Sequence, residues 1–196
     1  MNPAPDAQRS RATIAPSPSL ARASTASRPI HQTCASPWRH WKRLSTSRGP
    51  KGTRAVAFGD FHVLPGNTPQ RETVLEPGDL ITHVTLPPPV TGSKHLYLKL
   101  RDRASYEFAL ASTAVVLTIT SSKITRARIA LGGVGTKPWR SPEAEAALTG
   151  KAANEATFRQ AAEAALRGAK AQSENGFKIE LAKRCLTHAL RTAAAS

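Results

Sequence analysis

The sequence of 196 residues has few cysteines, few aromatic residues and few acids. Its two cysteines, Cys34 and Cys185, lie far apart and neither has a second cysteine nearby, which does not favour a disulfide framework or a zinc site. We expect Cys185 to be a small buried thiol. The chain has no run of about eighteen apolar residues, and no apolar segment followed by a cleavage site at its N-terminus. We therefore expect neither a membrane-spanning helix nor a secretory signal.

Acids are outnumbered, with 13 Asp and Glu against 28 Lys and Arg and a formal net charge of +15. Such a charge ordinarily suggests nucleic acid or an anionic surface as a partner. Eight of the basic residues lie in residues 1–48 beside a single acid, Asp6, and the other twenty are spread over the remaining chain beside twelve acids. Because most of the basic residues are spread out, we expect no nucleic-acid partner. An alternative function is that of a basic protein that binds nucleic acid through its N-terminal tail.

Residues 1–48 are rich in Ala, Ser, Pro and Arg and show neither the period of a strand nor that of a helix. A segment of this composition buries too little apolar surface to offset the entropy of ordering, so we predict a disordered tail. The tail superficially matches an organelle transit peptide, but it has no convincing amphipathic helix.

From Gly49 onward the sequence has the composition of a globular domain and predicts several strands. The predicted strands are TRAVAFGDFHVL, DLITHVTLP, KHLYLKLRD, EFALASTAVVLTIT and KITRARIALGGVG. The last two are joined by SSK, which suits an antiparallel hairpin. Glu107–Ser112, at the start of the fourth, is either strand or irregular.

Three helices are predicted in the last third of the chain. Ser141, followed by Pro142 at the first helical position, begins a short helix that ends at Gly150. Asn154 caps the second helix, and the third covers about Gly176 to Ala194.

Apolar side chains recur at helical spacing in the two longer helices. In the second helix they are Phe158, Ala162, Ala165, Leu166 and Ala169, and in the third they are Phe177, Leu181, Cys185 and Ala189, with Leu186 and Leu190 beside them. The fold class is therefore α+β, a small antiparallel sheet packed against a layer of about three helices.

The segment LGGVGTKPWR looks at first like a phosphate-binding loop. A P-loop needs a lysine followed by Ser or Thr after its glycines, which this segment lacks, and Pro138 removes one backbone donor. We interpret Gly132, Gly133 and Gly135 as residues that let the backbone turn tightly.

Other residues with catalytic chemistry lie apart in the sequence. The histidines of the predicted globular part lie in separate elements with no Ser, Cys or Asp partner at catalytic spacing, and we expect surface or packing roles for them: His62, His83, His95 and His188. Asp60 and Asp79 are typical of turns or strand ends. The sequence shows no catalytic constellation and no metal site.

Four separated segments resemble one protein family in the family's own order. FGDFHVLPGNTPQRETVLEPGDLI, LKLRDRASYEFALAS, ARIALGGVGTKPWR and NGFKIELAKRCL are similar to the flavin-binding (medium) subunit of molybdenum hydroxylases, the xanthine dehydrogenase and aldehyde oxidoreductase family. The resemblance implies that residues 49–90 are a remnant of the C-terminal end of the FAD-binding domain. It implies a flavoprotein C-terminal domain, like that of CO dehydrogenase, over residues 91–196.

The resemblance also implies a cofactor, partners and two binding residues. In an intact member, FAD relays electrons from molybdopterin and iron–sulfur centres to an acceptor, beside a molybdopterin-binding large subunit and an iron–sulfur small subunit. Ile81 corresponds to an apolar residue that packs on the flavin ring, and Lys99 to a residue near its polar edge. The family's principal flavin loops lie in the first portion of the FAD domain, which we do not expect in this chain. We expect weak or absent flavin binding and no catalysis by the chain alone.

Two further expectations follow from the resemblance. A non-catalytic module that docks on the other two subunits without flavin is an alternative function. The expected compartment is the cytoplasm, or the periplasm if an exported partner carries the chain.

The first 48 residues do not resemble the family in the frame given. When plausible codons for residues 2–47 are read from the third base, HQTCASPWRHWKRLSTS becomes SDMCVALAALEAVVHV, which does resemble the family and runs directly into Arg48. We hypothesise that residues 1 to about 48 are an out-of-frame translation and that the chain is truncated.

Overall fold

The computed structural model describes residues 44–196, which form two antiparallel sheets and four helices. The strands are β1 (Leu44–Gly49), β2 (Gly52–Ala57), β3 (Leu80–Thr85), β4 (Ser93–Leu100), β5 (Ala111–Thr120), β6 (Lys123–Gly132) and β7 (Trp139–Arg140). The helices are α1 (Phe58–Phe61), α2 (Pro142–Leu148), α3 (Glu155–Ala165) and α4 (Phe177–Ala195). The fold class predicted from the sequence, α+β with an antiparallel sheet and a helical layer, is confirmed.

The first sheet has the order β2-β1-β3, with β1 antiparallel to both neighbours. The predicted disordered tail falls on residues outside those described, except for residues 44–48, where that prediction is wrong because they belong to β1. A central strand is held by backbone hydrogen bonds on both sides, which form whatever the side-chain composition. The strand expected at DLITHVTLP is confirmed as β3.

The segment predicted as one strand, TRAVAFGDFHVL, is a strand only up to Ala57. Phe58 and Phe61 then form a single helical turn, are both buried, and have ring centroids 6.5 Å apart. In a strand, residues three apart point to opposite faces, whereas a helical turn puts them on one face. Because both rings are buried on the same side, residues 58–61 form a helical turn and not a strand.

The second sheet has the order β4-β5-β6-β7. The predicted hairpin is confirmed, because β5 and β6 pair in antiparallel fashion through a turn in which Ser121 and Ser122 have φ of 49° and 62°. Two successive positive φ values are typical of the two-residue turn that matches strand twist. Strand β5 begins at Ala111, so the irregular alternative is correct for the residues before it.

The three predicted helices are present with the predicted caps. The Ser141 hydroxyl accepts from the amide of Ala144 at 3.2 Å, and the Asn154 side chain accepts from the amide of Thr157 at 3.0 Å. Helix α4 packs on β4 and β5, α2 packs on β6, and α3 packs on both α2 and α4. One core therefore lies between the second sheet and a layer of three helices.

The apolar face predicted for α4 needs one correction. Phe177 is 57% exposed, and the side chains that are buried are Ala182, Cys185, Leu186, Ala189, Leu190 and Ala193. This stripe extends back to Ile179, which packs against the core, so Phe177 points away from it. Cys185 is buried as predicted, and burial raises the pKa of its thiol. Among residues 44–196, no helix is both long and apolar enough to cross a membrane.

Candidate functional site

Ile81 lies on the open surface of the first sheet. It belongs to β3, its Cα is paired with that of Ser47 in β1, and it is 42% exposed beside Leu80, which is 69% exposed. Consecutive residues of a strand point to opposite faces of the sheet, so Ile81 exposes an aliphatic side chain on a different face from Leu80. The exposed Ile81 side chain suits contact with a flat ring.

Lys99 lies on the second sheet, on the face away from the helices. Its neighbours Leu98 and Leu100 pack against the core, so the alternation along β4 places Lys99 on the opposite face. Lys99 pairs with Ser112 of β5, which pairs with Gly132 of β6. These three residues form one row across the sheet.

Ser112 is a functional candidate that sequence reasoning missed. It is fully buried, and its hydroxyl has no hydrogen-bond partner within residues 44–196. A buried hydroxyl left unpaired costs free energy, which makes it an unusual feature beside a lysine. No pattern in the sequence marks this serine, because its surroundings depend on strand register.

The loop between β4 and β5 holds a second residue that the sequence did not reveal. Tyr106 is 96% exposed and has a φ of 52°, a left-handed conformation that is rare for a bulky residue. The Arg103 guanidinium donates to the Tyr106 carbonyl at 2.6 Å and forms an ion pair with Glu107 at 3.2 Å. Arg103 thus holds the loop in this conformation, at the end of the strand that carries Lys99.

The glycine segment is a structural turn, as predicted. Gly133 has a φ of 75°, and a Cβ built there would lie 2.9 Å from the carbonyl oxygen of Ala109 and 3.2 Å from that of Leu110. The Lys178 ammonium donates to the Gly133 carbonyl at 3.3 Å. The space beside this turn is filled by the protein's own backbone, so the turn does not cradle a phosphate.

A buried carboxylate ties α2 to the second sheet. Glu145 is 7% exposed and accepts hydrogen bonds from Arg128 at 2.9 Å, from Arg140 at 3.0 and 2.8 Å, and from the amide of Ile129 at 3.1 Å. Burial alone would raise the pKa of Glu145. The hydrogen bonds from Arg140, Ile129 and Arg128 lower that pKa by a larger amount, so it lies below the ordinary value. Because the buried carboxylate accepts all of these bonds from groups of the domain itself, this cluster is structural.

The histidines occupy the surface or packing positions expected of them. His83 is within 3.0 Å of the Thr82 hydroxyl, and His95 is within 2.6 Å of the Ser93 hydroxyl. The His62 ring packs edge-on against Phe58 and Phe61. In the part of the chain that the structure describes, no three His, Cys, Asp or Glu side chains are grouped to hold a metal ion.

Ile81 and Lys99 lie on different sheets, so no strand pairing joins them. Lys99, Ser112 and the loop that carries Tyr106 belong to the second sheet, and Ile81 to the first. What the chain offers chemically is an exposed aliphatic surface in one place, and an ammonium beside a buried hydroxyl in another.

Comparison with known proteins gives matches over most of the described chain. Residues 96–193 match the family of the CO dehydrogenase flavoprotein C-terminal domain. The aldehyde oxidoreductase FAD-binding subunit PaoB of Escherichia coli K12 is 46% identical over 147 residues, 74% of this chain and 43% of that protein. The carbon monoxide dehydrogenase medium chain of Afipia carboxidovorans is 36% identical over 104 residues, 53% of this chain and 34% of that protein.

Solved structures give the same result. The Cu,Mo-CO dehydrogenase in its cyanide-inactivated form superposes with a TM-score of 0.72 at 29% identity, over 83% of this chain and 56% of that chain. This chain spans less than half the length of the two curated relatives named above.

Proposed function

Because the chain belongs to the family of the CO dehydrogenase flavoprotein C-terminal domain, we propose that it acts as part of the flavoprotein subunit of a molybdenum hydroxylase. In the intact subunit, FAD would supply the relay of electrons from molybdopterin and iron–sulfur centres to an acceptor. The observation that carries this proposal is the match over residues 96–193, supported by the similarity to a subunit named as FAD-binding.

The residues present suit the ring of a flavin. Ile81 offers an exposed aliphatic surface for the face of a ring, and Lys99 offers a cation for its polar edge. The unpartnered Ser112 hydroxyl lies in register with Lys99 and has hydrogen-bonding capacity that residues 44–196 leave unused. The glycine turn at Gly133 provides no phosphate cradle, so the pyrophosphate has no donors there.

Site-directed variants test the two binding residues in the assembled complex. We expect Lys99→Gln to lower the flavin content of a complex with the molybdopterin-binding and iron–sulfur subunits, while Lys123→Gln, at the exposed start of β6, does not. We expect Ile81→Ala to do the same, while Leu86→Ala, also exposed, does not. Equal flavin content in a variant and its control contradicts the assigned role.

The chain alone should bind FAD weakly or not at all. Titration of the purified chain into FAD, followed by flavin fluorescence, tests this.

Co-expression with the large and small subunits then distinguishes the two candidate functions. A yellow complex supports electron relay, and a colourless one supports the docking module. Failure to co-purify contradicts both.

We propose that the protein lies in the cytoplasm, or in the periplasm if its partner is exported.

We also propose that residues 1 to about 48 arise from a shift of reading frame. Ser47 supports this, because its side chain is buried in β1 and its hydroxyl lacks a partner among the described residues. The alternative reading places valine directly before Arg48, where a buried strand position favours an apolar residue. Resequencing the genomic DNA for this segment and the region upstream tests the proposal. Orthologous chains with the same Arg/Ser tail in an unbroken gene would overturn it.

A further inference from the structure

A surface groove of about 450 Å³ lies between α3 and α4. From α3 it is lined by Glu155, Arg159, Ala162 and Glu163, and from α4 by Glu180, Lys183, Arg184, Thr187, His188 and Arg191. Nearly every lining side chain is polar or charged. Neither the flavin-binding residues nor the glycine turn belongs to it.

Three of the four cations in the groove already have carboxylate partners. Arg159 pairs with Glu155 at 3.2 Å and Arg184 pairs with Glu180 at 3.0 Å, each within one helix, while Lys183 reaches across to Glu163 at 2.6 Å. Ion pairs on an exposed surface stabilise a fold little, so they can rearrange when a ligand arrives.

Arg191 differs from these three. Within residues 44–196 it forms no ion pair with a carboxylate, and its guanidinium donates to Nδ1 of His188 at 2.9 Å. Both side chains are exposed. A guanidinium can bind a carboxylate through two parallel hydrogen bonds between opposite charges, whereas Arg191 makes a single bond to a ring nitrogen of His188. A carboxylate that enters this end of the groove therefore replaces a weaker interaction.

The dimensions of the groove indicate the size of its ligand. The lining residues of α4 run from Glu180 to Arg191, about 16 Å along the helix at the usual rise per residue. An extended peptide covers that length with about five residues. A single inorganic anion would occupy only one end.

We propose that this groove is a docking surface for an extended, polar segment of a partner protein, with a carboxylate of that segment bound by Arg191. The groove neutralises its other cations internally and leaves one cationic end, so it is complementary to a polar chain with a carboxylate in register with that end. The inference does not depend on flavin binding or on electron relay.

Binding of a labelled oligoglutamate peptide of about five residues to the full chain, followed by fluorescence anisotropy, tests the proposal. We expect Arg191→Gln to weaken binding about tenfold, the loss expected for one charge-assisted hydrogen-bonded pair. Arg191→Lys, which retains the charge but not the bidentate geometry, should lose less. The matched control is Arg126→Gln on the exposed part of β6, which removes the same charge outside the groove and should leave the affinity nearly unchanged.

Several results would overturn the proposal. One is the absence of saturable oligoglutamate binding, and another is equal binding of an oligoglutamine peptide. A third is equal weakening by the Arg191 and Arg126 variants, which would indicate general attraction to a basic chain. If Arg191→Gln weakens the binding of a single-stranded oligothymidine but leaves the binding of oligoglutamate unchanged, the groove is assigned to nucleic acid. Circular dichroism of each variant distinguishes lost binding from lost folding, and His188→Gln is a second groove variant if Arg191→Gln unfolds.

Discussion

At the residue scale, Glu145 illustrates how one buried charge can hold two elements together. Its carboxylate accepts from two arginines and a strand amide, so α2 cannot move from β6 and β7 without exposing unpaired charges. Both arginines are about a third exposed, at 31%, so water compensates part of their loss. The stabilisation that this cluster provides requires the Glu145 carboxylate to be ionised.

We expect Glu145→Gln to lower the free energy of unfolding by about 3 kcal/mol at neutral pH. Because the pKa of Glu145 in the fold lies below the unfolded value of about 4.3, ionised Glu145 stabilises the fold above that pH. The stabilisation is lost as the pH falls through the folded-state pKa. Urea unfolding at neutral and acidic pH should therefore show a smaller acid-induced loss in the variant. Glu143→Gln, exposed in the same helix, is the control, and an equal effect there would contradict the prediction.

Gly133 can be tested against a second glycine with the same backbone conformation. We expect Gly133→Ala to destabilise the fold by about 2 kcal/mol or more, because the new Cβ adds a close contact with the Ala109 carbonyl to the cost of a positive φ. Gly92 has a φ of 71° with no atom within 4 Å of such a Cβ, so Gly92→Ala should cost only about 1 kcal/mol. Urea unfolding measures both, and equal costs would show that the contact at Gly133 is relieved by relaxation.

At the element scale, the strands differ in how they obtain their stability. Strand β5 is buried over Ala111–Leu117 on both faces, so its two sets of alternating side chains contribute hydrophobic burial. Strand β1 forms because β2 and β3 pair with it, although its composition is polar. A buried polar side chain in such a strand is a local defect.

Ser47 is that defect, and we expect its replacement to stabilise the chain. Ser47→Val removes a buried hydroxyl without a partner in the described chain and adds a β-branched side chain, with an expected gain of about 1 kcal/mol in the free energy of unfolding. Ser47→Ala removes the hydroxyl without adding volume and should gain less. Thr53→Val on the exposed β2 is the control. A loss of stability in both Ser47 variants would show that the hydroxyl has a partner.

At the scale of the whole molecule, the two sheets are unequally covered. The second sheet carries a core that includes Leu117, Ile129, Leu186 and Leu190, all fully buried beneath the helical layer. In the first sheet, β2 and β3 are exposed along most of their length, and Leu80 and Ile81 face solvent. Stability should therefore concentrate in the part that matches the family.

Native-state hydrogen exchange measures this difference directly. We expect amides of β5 and β6 to exchange only through global unfolding, and amides of β2 and β3 to open with a free energy lower by about 2 kcal/mol or more. The reason is that few buried apolar contacts oppose local opening of the first sheet. Uniform protection across both sheets would contradict this expectation. Addition of the proposed large and small subunits should raise the protection of β3 if Ile81 becomes covered.

Much of the architecture was accessible from the sequence. The caps at Ser141 and Asn154 and the hairpin at SSK were predictable because each depends on local chemistry that short-range patterns encode. The helix at Phe58 and the exposure of Phe177 were not, because their burial depends on which distant residues they meet. The same holds for the candidate site. Lys99 and Ile81 followed from family resemblance, while Ser112 and Tyr106 emerged from strand register and backbone conformation.

By itself, the sequence determined the α+β class, the order of elements in the matched part and the family, because hydrophobic period, capping residues and motif order are properties of the chain alone. Only the tertiary structure decided that residues 44–48 form a central strand, that Glu145 is enclosed by Arg128 and Arg140, and that α3 and α4 form a groove ending at Arg191. Each of these depends on contacts between segments far apart in the chain. Such contacts are selected by packing and charge pairing of the whole fold, which no local pattern records.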